Sequence, residues 1–245
     1  MKIITFLSDF GERDWFVAAV KGVILKINNA VQIIDITHQL PSFDIRSAAF
    51  LLKSVYKNFS LGTINLAVVD PGVGTERKPI IVESDGYYFV GPDNGIFSYI
   101  YGRYSIVYKI EVRKKPSATF HGRDIFGPIA AKLSRGLKPD NLGVRIKKYV
   151  KFEFPEIKKI GGKIYGEVIY IDHFGNLITN MENKIGVREL HIFKKRIVVK
   201  KFYGAGKKGE IICIKGSSGY YEIAGNKVSA RKILEAEIGS RVTVM

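Results

Sequence analysis

The sequence predicts an α/β fold in which a layered α/β domain at the amino terminus precedes a smaller β-barrel domain at the carboxyl terminus. Up to about residue 150, apolar strand patterns alternate with helical patterns, as in a layered sheet covered by helices. The segment KFEFPEIKKIGGK breaks this alternation with proline and paired glycines. Short strands with glycine turns follow, which is typical of a small barrel or sandwich. We therefore place the domains at 1–152 and 163–245, with a linker at 151–163.

The elements of the first domain follow in order from local patterns. The strand KIITFLSD leads into a helix over 14–27, whose apolar residues recur at helical spacing. After the strand VQIIDI, Asp44 is placed to cap a second helix. The apolar face of that helix is formed by Ile45, Ala48, Ala49, Leu52 and Val55. Next come the strands TINLAVVD, PIIVES and YYFVG, a short helix after GPDNG, the strand SIVYKIEV, and a helix in RDIFGPIAAKLSRG that stops at Gly136.

The second domain is predicted from apolar runs that glycine-containing turns separate. These runs are YGEVIYID, NLITN, LHIFKKRIVVKKF, GEIICIK, YYEIAG and SRVTVM, whereas only SARKILEAE has a helical pattern. The single cysteine, Cys213, lies in one of these runs and is expected to be structural. A chain with one cysteine has neither a disulfide framework nor a cysteine metal site.

Composition describes a globular chain with a substantial core, since 46% of its 245 residues are hydrophobic and 25% are charged. The apolar run IITFL is too short for a signal peptide, and no run approaches the length of a membrane span. We therefore expect a cytoplasmic protein without a membrane partner. The net charge of +16 indicates either a solvated basic surface, as in heat-adapted proteins, or a nucleic-acid site. The even spread of basic residues favours the first interpretation.

The stretch VVDPGVGTER places Asp70 at the end of a buried strand, followed by a glycine loop and then Arg77. A phosphate-binding P-loop needs lysine and a hydroxyl residue directly after its last glycine, and Thr-Glu-Arg stands there instead. A tight turn explains the proline and the glycines. It does not explain an acid at the carboxyl end of a strand, where open α/β sheets bind their ligands.

Two further residues stand in comparable positions. Asp9 ends the first strand, where a carboxylate can accept hydrogen bonds from both ribose hydroxyls, although a structural turn is the alternative. His121 precedes a helix whose amino end favours an anion or a neutral imidazole, although a packed or surface histidine is the alternative. No spacing among the histidines and acids forms a credible metal set, so no metal is expected.

Seven segments, taken together, resemble one known family. They are LSDFG, HQLPSFDIRSAAFLL, VVDPGVGTER, GPDNG, TFHGRDIFGP, IDHFGN and SSGYYEIAGN, and they cover nearly the whole chain in order. Each segment alone is a weak signal, but the ordered set is specific. The chain resembles the S-adenosyl-L-methionine (SAM) hydroxide adenosyltransferases, or SAM hydrolases, which are relatives of the fluorinase and chlorinase enzymes.

The resemblance implies an α/β domain and a β-barrel assembled as a homotrimer, with SAM between the first domain of one subunit and the barrel of its neighbour. Water would attack C5′ of the ribose and give adenosine and L-methionine, without cofactor or metal. The catalytic set of the family falls on Asp70, Arg77 and His121. Arg77 would stabilise hydroxide character because arginine stays charged, and either Asp70 or His121 would take the proton. The residues leave the choice of base open.

The resemblance also implies binding roles. Asp9 would hold the ribose diol, Asp70 would also touch the nucleoside, and Phe43 would line the pocket wall. Asp172 would face the methionine ammonium group, whereas Phe174 would stack on adenine and Asn176 would hydrogen-bond to it. The remaining barrel positions would complete the pocket, namely Tyr203, Ser217, Glu222 and Ala224.

The halogenating relatives differ from this chain at the reacting positions. They carry tyrosines where this chain has Asp70 and His121, and the fluorinase carries a halide-binding serine at Gly122. These differences favour water over halide as the nucleophile. A SAM-dependent halogenase is the alternative within the same class, and a basic nucleic-acid-binding protein is the alternative from another class.

Overall fold

The computed structural model describes residues 2–112 and 114–244, and its chain divides into two compact units, Met1–Glu153 and Phe154–Met245. The first unit contains seven strands and three α-helices within those ranges. The strands are β1 (Ile3–Ser8), β2 (Gln32–Thr37), β3 (Ile64–Val68), β4 (Pro79–Ser84), β5 (Tyr87–Pro92), β6 (Ile106–Ile110) and β7 (Gly143–Ile146). The helices are α1 (Phe16–Ile27), α2 (Ile45–Val55) and α3 (Gly127–Ser134), with 3₁₀ turns at Tyr56–Asn58 and Pro139–Asn141 and a π-helical turn at Gly122–Phe126.

The sheet of the first unit has the order β2-β1-β3-β5-β4-β6-β7. Strands β2, β1, β3 and β5 run parallel, whereas β4, β6 and β7 pair antiparallel. The carboxyl ends of the parallel strands therefore meet at one edge of the sheet, where α/β folds place their ligand sites. The loops after β1, β2 and β3 all begin at this edge.

Both faces of the sheet are buried, which explains the near-continuous apolar strands of the sequence. Phe6 and Leu66 face the layer formed by α1 and α3, whereas Leu7 and Ala67 on the same strands face the layer that contains α2. This alternation follows from the two-residue period of a strand. Burying each large apolar side chain contributes about 1.5–3 kcal/mol, so the two layers hold the strand ends in fixed positions.

Helix α2 begins where the sequence predicts its cap. The Asp44 side chain accepts hydrogen bonds from the Ser47 backbone N–H at 3.0 Å and from the Ser47 hydroxyl at 2.6 Å. The helix predicted over 14–27 is α1, which begins at Phe16 without a side-chain cap. These two helices confirm the predicted pattern.

Three parts of the first unit differ from the sequence expectation. The segment after GPDNG forms successive turns instead of a helix, with hydrogen bonds from Ser98 to Gly95 and from Ile100 to Phe97, because tertiary packing buries its apolar side chains. The helix predicted from Arg123 opens with the π-helical turn. Strand β7 was not predicted, because the short segment GVRI carries no strong strand pattern.

The second unit is an antiparallel sheet that nearly closes on itself. Its elements are β8 (Lys158–Ile160), β9 (Lys163–Ile171), β10 (Leu177–Glu182), β11 (Glu189–Ile192), β12 (Lys195–Val198), β13 (Ile211–Lys215), β14 (Tyr220–Gly225), β15 (Arg241–Val244) and the helix α4 (Ala230–Leu234), with 3₁₀ turns at Asn183–Ile185 and Tyr203–Ala205. The order is β12-β11-β15-β9-β10-β14-β13, and β8 pairs with β9. Val199 forms a bridge with Cys213, which links the two outer strands. The predicted α/β fold with a barrel-like second domain is confirmed.

Several sequence expectations for this unit can be located. The run at 190–202 divides into the hairpin β11–β12, and its turn holds Phe193 at a φ of 52°. Strand β8 lies inside the segment assigned to the linker. The strand predicted over 240–245 is β15, and its last residue lies outside the described residues. Cys213 is fully buried, and burial raises the pKa of its thiol to about 12, so the residue is structural.

The described ranges contain no helix with both the length and the apolar character needed to cross a lipid bilayer.

We predict that Asp44→Ala lowers the free energy of unfolding by about 1 kcal/mol, because the first turn of α2 loses its side-chain acceptor. Thermal unfolding followed by circular dichroism should show a midpoint that is lower by about 2–4 °C. Asp14→Ala is the matched control, because Asp14 is exposed and the N-cap of α1 has no side-chain bond. Equal effects of the two substitutions would contradict the capping role.

Candidate active site

Asp70, Arg77 and His121 form one hydrogen-bonded cluster in the first unit. Arg77 binds the Asp70 carboxylate with two bonds, Nε to Oδ1 at 2.8 Å and Nη2 to Oδ2 at 2.5 Å. Arg77 Nη2 also lies 2.6 Å from His121 Nδ1. Only 9% of the Arg77 side chain and 6% of the Asp70 side chain are exposed. The three residues, which are far apart in the sequence, therefore act as one buried group.

The cluster fixes the protonation of His121. A guanidinium group can only donate, so Nδ1 of the imidazole accepts and the ring proton lies on Nε2. Burial lowers the pKa of His121, and the positive charge of Arg77 lowers it further, whereas the carboxylates of Asp70 and Asp124 act in the opposite direction. His121 is therefore a neutral imidazole that offers an N–H donor at Nε2.

The loop between β3 and β4 returns Arg77 to Asp70 through two tight turns. The Val73 N–H donates to the Asp70 carbonyl and the Thr75 N–H to the Gly72 carbonyl. Gly74 has a φ of 82°, and a Cβ atom there would lie 2.4 Å from the Ala118 carbonyl oxygen. Glycine is therefore required at Gly74 for backbone conformation and for close approach, as the tight-turn interpretation of this loop predicts.

The π-helical turn supports the cluster from the other side. His121 is the residue before this turn, and the Gly127 N–H bonds to the Gly122 carbonyl across five residues. The turn brings the Phe126 ring under the Arg77 guanidinium, with a distance of 5.1 Å to the ring centroid. Nη1 of Arg77 is buried and has no hydrogen-bond partner among the described residues, so the aromatic face is a favourable neighbour for this charge.

Asp70 and His121 open on a cleft of about 270 Å³ at the carboxyl edge of the parallel strands. Asp9 and Phe43, both predicted site residues, also line this cleft. Three further aromatic residues, Phe10, Phe16 and Phe120, are part of its lining, and they pack edge to face or tilted at 5.3–5.9 Å between ring centroids. A cleft that combines carboxylates with aromatic rings suits a ligand with both hydroxyl groups and a flat apolar part.

Asp9 and Phe43 are joined directly, since the Phe43 N–H donates to Asp9 Oδ2 at 2.8 Å. Phe43 has a φ of 69°, and its ring is 69% exposed. A left-handed backbone costs a non-glycine residue roughly 1–2 kcal/mol. Such strain is commonly held at ligand sites by surrounding contacts.

Four of the seven predicted residues of the second unit line a cavity of about 630 Å³, namely Asp172, Phe174, Asn176 and Tyr203. Asp172 accepts from both the backbone and the side chain of Asn176, each at 2.8 Å, which fixes the Asn176 amide. Phe174 lies at the tip of the β9–β10 hairpin and is 74% exposed. Tyr203 lines the same cavity and donates to Glu222 at 2.7 Å.

Glu222 is nearly buried, and burial raises the pKa of its carboxyl. The negative charge of Asp172 acts in the same direction, whereas the hydrogen bond from Tyr203 opposes it. Ser217, Glu222 and Ala224 do not line the cavity. Ser217 lies exposed in the turn between β13 and β14, and Ala224 is fully buried within β14.

Sequence reasoning missed the aromatic wall and the ring under Arg77. Phe10 follows Asp9 directly, and Phe120 precedes His121 directly. Their adjacency to candidate residues was the available signal, whereas nothing local marks Phe126 as a neighbour of Arg77. Among the described residues no group of three or more histidine, cysteine or acidic side chains is placed to hold a metal ion.

A strand-edge cleft with a carboxylate–guanidinium–imidazole cluster defines a small-molecule enzyme of two domains, one α/β and one barrel-like. The particular family follows from comparison with known proteins. Residues 4–143 match the SAM hydroxide adenosyltransferase N-terminal domain, and residues 166–243 match the C-terminal domain of the same family. The chain belongs to the SAM hydroxide adenosyltransferase family.

Similar proteins cover the whole chain. The (R)-S-adenosyl-L-methionine hydrolase of Methanocaldococcus jannaschii is 35% identical, over 100% of this chain and 96% of its own length. The protein of the same name from Thermus thermophilus is 34% identical over 100% of both chains. A fluorinase from Actinoplanes is 25% identical over 99% of this chain. The crystal structure of an uncharacterized conserved protein from Thermotoga maritima superposes with a TM-score of 0.90 at 34% identity, covering 98% of this chain and 99% of its own.

We predict that His121 stays neutral, with its proton on Nε2, down to a pH below 6.5, the ordinary pKa of histidine. We also predict that Arg77→Gln raises the pKa of His121. The pKa of His121 should rise because the substitution removes a positive charge and leaves the Asp70 carboxylate in place. An imidazole ¹⁵N NMR titration measures both the tautomer and the pKa. Arg145→Gln, which breaks an exposed ion pair with Asp140, is the control and should leave the titration unchanged. A proton on Nδ1 in the unaltered protein would disprove the assignment.

Proposed function

We propose that this protein hydrolyses SAM, with water attacking C5′ of the ribose to give adenosine and L-methionine, and that the reaction uses no cofactor or metal. The observation that carries the proposal is the hydrogen-bonded set of Asp70, Arg77 and His121, which opens on an aromatic cleft. Family membership supports it, as do full-length relatives named (R)-S-adenosyl-L-methionine hydrolase.

The chemistry suits these groups. A new O–C5′ bond forms as the C5′–S bond breaks, and the sulfonium leaves as neutral methionine thioether, so the leaving group needs no acid. The attacking water must lose a proton and be held in line with the breaking bond. Of the two candidate bases, Asp70 has lone pairs left after binding Arg77, whereas the acceptor nitrogen of His121 is already occupied by Arg77.

We therefore assign the proton to Asp70. His121 then donates a hydrogen bond from Nε2 to the water and orients it. Arg77 holds Asp70 and His121 in position through its hydrogen bonds to both. Arginine keeps its charge at any working pH, so it also stabilises the negative charge that develops on the water oxygen.

The substrate contacts follow from the same proposal. In the strand-edge cleft, Asp9 holds the ribose diol and Phe43 covers the nucleoside. In the barrel-like unit, Asp172 binds the methionine ammonium group, Phe174 stacks on adenine and Asn176 hydrogen-bonds to it. Tyr203 completes the pocket and Glu222 fixes the Tyr203 hydroxyl, whereas Ser217 and Ala224 lie outside the cavity lining.

A halide is the weaker candidate nucleophile for this site. At about 4 Å, the Asp70 carboxylate repels an anion by roughly 4 kcal/mol at an effective dielectric constant near 20. Arg77 would offset this repulsion, but its Nε and Nη2 groups are already bonded to Asp70. Water meets no such repulsion. The alternative of a nucleic-acid-binding protein is supported by the net charge of +16 and by no specific contact among the described residues. The cytoplasmic location stays a prediction.

We predict that SAM incubated in ¹⁸O-labelled water yields adenosine labelled at O5′ together with L-methionine, because the oxygen comes from solvent. Chromatography with mass spectrometry identifies both products. Chloride or fluoride should yield no 5′-halo-adenosine. A halogenated nucleoside as the main product would replace the hydrolase assignment with the halogenase alternative.

Variants of the cluster test the assignment of roles in the same assay. Asp70→Asn and His121→Ala should each lower turnover by about 10²-fold or more, through loss of the proton acceptor or of the orienting donor. Asp140→Asn is the matched control, since it removes a carboxylate from an exposed ion pair. Near-normal turnover in both cluster variants would refute the catalytic set.

We also predict that the active unit is a homotrimer in which two subunits contribute to each adenosine site. Light scattering should give the mass of three chains. Asp70→Asn and Asn176→Ala should each be strongly impaired alone, whereas co-expression should restore part of the activity, because some sites then combine an intact α/β domain of one chain with an intact barrel of its neighbour. A fully active monomer, or mixed oligomers without activity, would contradict the shared site.

A further inference from the structure

A second set of linked polar side chains runs from the surface residues Lys21 and Asp35 to the buried residues His38 and Ser8. Lys21 Nζ donates to Asp35 Oδ2 at 2.5 Å, and Asp35 Oδ1 lies 3.1 Å from His38 Nε2. His38 Nδ1 lies 2.7 Å from the Ser8 hydroxyl. Ser8 is fully buried and His38 is 2% exposed. The reaction proposed above uses none of these side chains.

This set of side chains has a definite direction. Burial raises the pKa of Asp35, but the contacts with Lys21 and His38 outweigh this effect and lower the pKa, so Asp35 is a carboxylate. Burial lowers the pKa of His38, Lys21 lowers it further, and Asp35 and Glu12 oppose the shift. A neutral His38 keeps its proton on Nε2, which lies near Asp35 but is not aligned for a hydrogen bond. Its Nδ1 accepts a hydrogen bond from the Ser8 hydroxyl.

The order Ser8–His38–Asp35 has the chemical types of a nucleophilic triad, but Ser8 is not a nucleophile. Its hydroxyl is fully buried, and Ser8 is absent from the lining of the cleft. A nucleophile must reach its substrate, whereas the partners of this hydroxyl among the described residues are His38 and, at 3.4 Å, the Phe10 N–H. The contact therefore holds the backbone that follows Ser8.

That backbone carries the carboxylate proposed to bind ribose. Asp9 follows Ser8 directly, and two more bonds join the loops after β1 and β2. The Gly11 N–H donates to the His38 carbonyl at 2.7 Å, and the Phe43 N–H donates to Asp9 Oδ2 at 2.8 Å. The Ser8–His38 bond is the buried member of this set.

The register of β1 and β2 makes the contact possible. Phe6 pairs with Asp35 but Leu7 pairs with Thr37, so Ile36 is an extra residue on β2. A bulge of this kind turns the following residues and often lies beside an active site. Here it lies between Asp35 and His38, whose side chains contact each other.

We infer that Ser8 and His38 are positioning residues that join the loops after β1 and β2 and so hold the Asp9 carboxylate and the strained Phe43 backbone in the geometry that recognises a ribose diol. The functional part of this inference rests on the proposed function, since it assigns the diol to Asp9. The structural part, that Ser8–His38 keeps the Phe43 N–H bonded to Asp9, does not depend on the reaction.

Three variants and a control test the inference in the full-length protein. Ser8→Ala and His38→Leu remove the contact, whereas His38→Asn retains an acceptor near the position of Nδ1 and should restore it. Thr5→Ala is the matched control, because it breaks another buried hydrogen bond of β1, to Asn65 at 2.8 Å, away from the strand end. Thermal unfolding shows whether each variant is folded.

The first measurement is amide hydrogen exchange of peptides containing Phe43, without ligand. Exchange should be faster in Ser8→Ala and His38→Leu and unchanged in His38→Asn and Thr5→Ala. The second is calorimetric binding of adenosine and 2′,3′-dideoxyadenosine. The unaltered protein should prefer adenosine by about tenfold or more, as expected for bonds to a charged carboxylate, and the two disrupted variants should lose this preference.

The two measurements separate the possible failures. Unchanged exchange at Phe43 in both disrupted variants would overturn the inference whether or not SAM is hydrolysed. Faster exchange with an unaltered preference for adenosine would overturn the ribose role. The expected exchange pattern in a protein that hydrolyses no SAM would support the Ser8–His38 contact and refute the proposed function instead.

Discussion

Arg77 places its guanidinium in a position where most of the side chain is shielded from water, and a buried charge without a partner costs several kcal/mol. Asp70 supplies that partner through two bonds in the planar geometry that arginine and carboxylate share. In this pair, Nη2 also points an N–H group at His121 Nδ1. Because Nη2 can only donate, Nδ1 must accept, and the ring proton of His121 lies on Nε2. The β3–β4 loop, the π-helical turn with Phe126 and the proton position of the imidazole are therefore all arranged around one ion pair.

The fold makes this pairing possible by bringing strand ends to one edge. Parallel pairing places the carboxyl ends of β1, β2 and β3 side by side, and packing on both faces of the sheet prevents them from shifting. Asp9 and Asp70 then line the same cleft, although 61 residues separate them along the chain. The loops are free to carry chemistry because the strands alone supply the rigidity.

Two networks of polar side chains lie at strand ends of the first unit, and each contains a buried imidazole. His38 contacts Ser8 through Nδ1 and faces Asp35 with Nε2, whereas His121 accepts from Arg77 at Nδ1. Networks of this kind are rigid when their members are paired, because each unpaired group in a low-dielectric interior is costly. Asp70 and His121 line the cleft, whereas Ser8 and His38 are absent from its lining and join the loops at its rim.

The sequence by itself determined the elements whose signals are local. Period-two and helical patterns predict the strands and helices, Asp44 predicts the start of α2, and the strand-end acids Asp9 and Asp70 mark the ligand edge. The ordered motifs also identify the family and its candidate residues. These signals depend on neighbours a few residues apart, so a linear pattern contains them.

Only the tertiary structure decided which residues meet. The approach of Arg77 to His121 across 44 positions, the ring of Phe126 under the guanidinium and the bridge from Val199 to Cys213 depend on strand order and loop geometry. The left-handed Phe43 and the turns after Gly95 likewise oppose local preference and are held by tertiary contacts. Local propensity amounts to less than about 1 kcal/mol per residue, so burial and hydrogen bonding between distant segments decide wherever the two conflict.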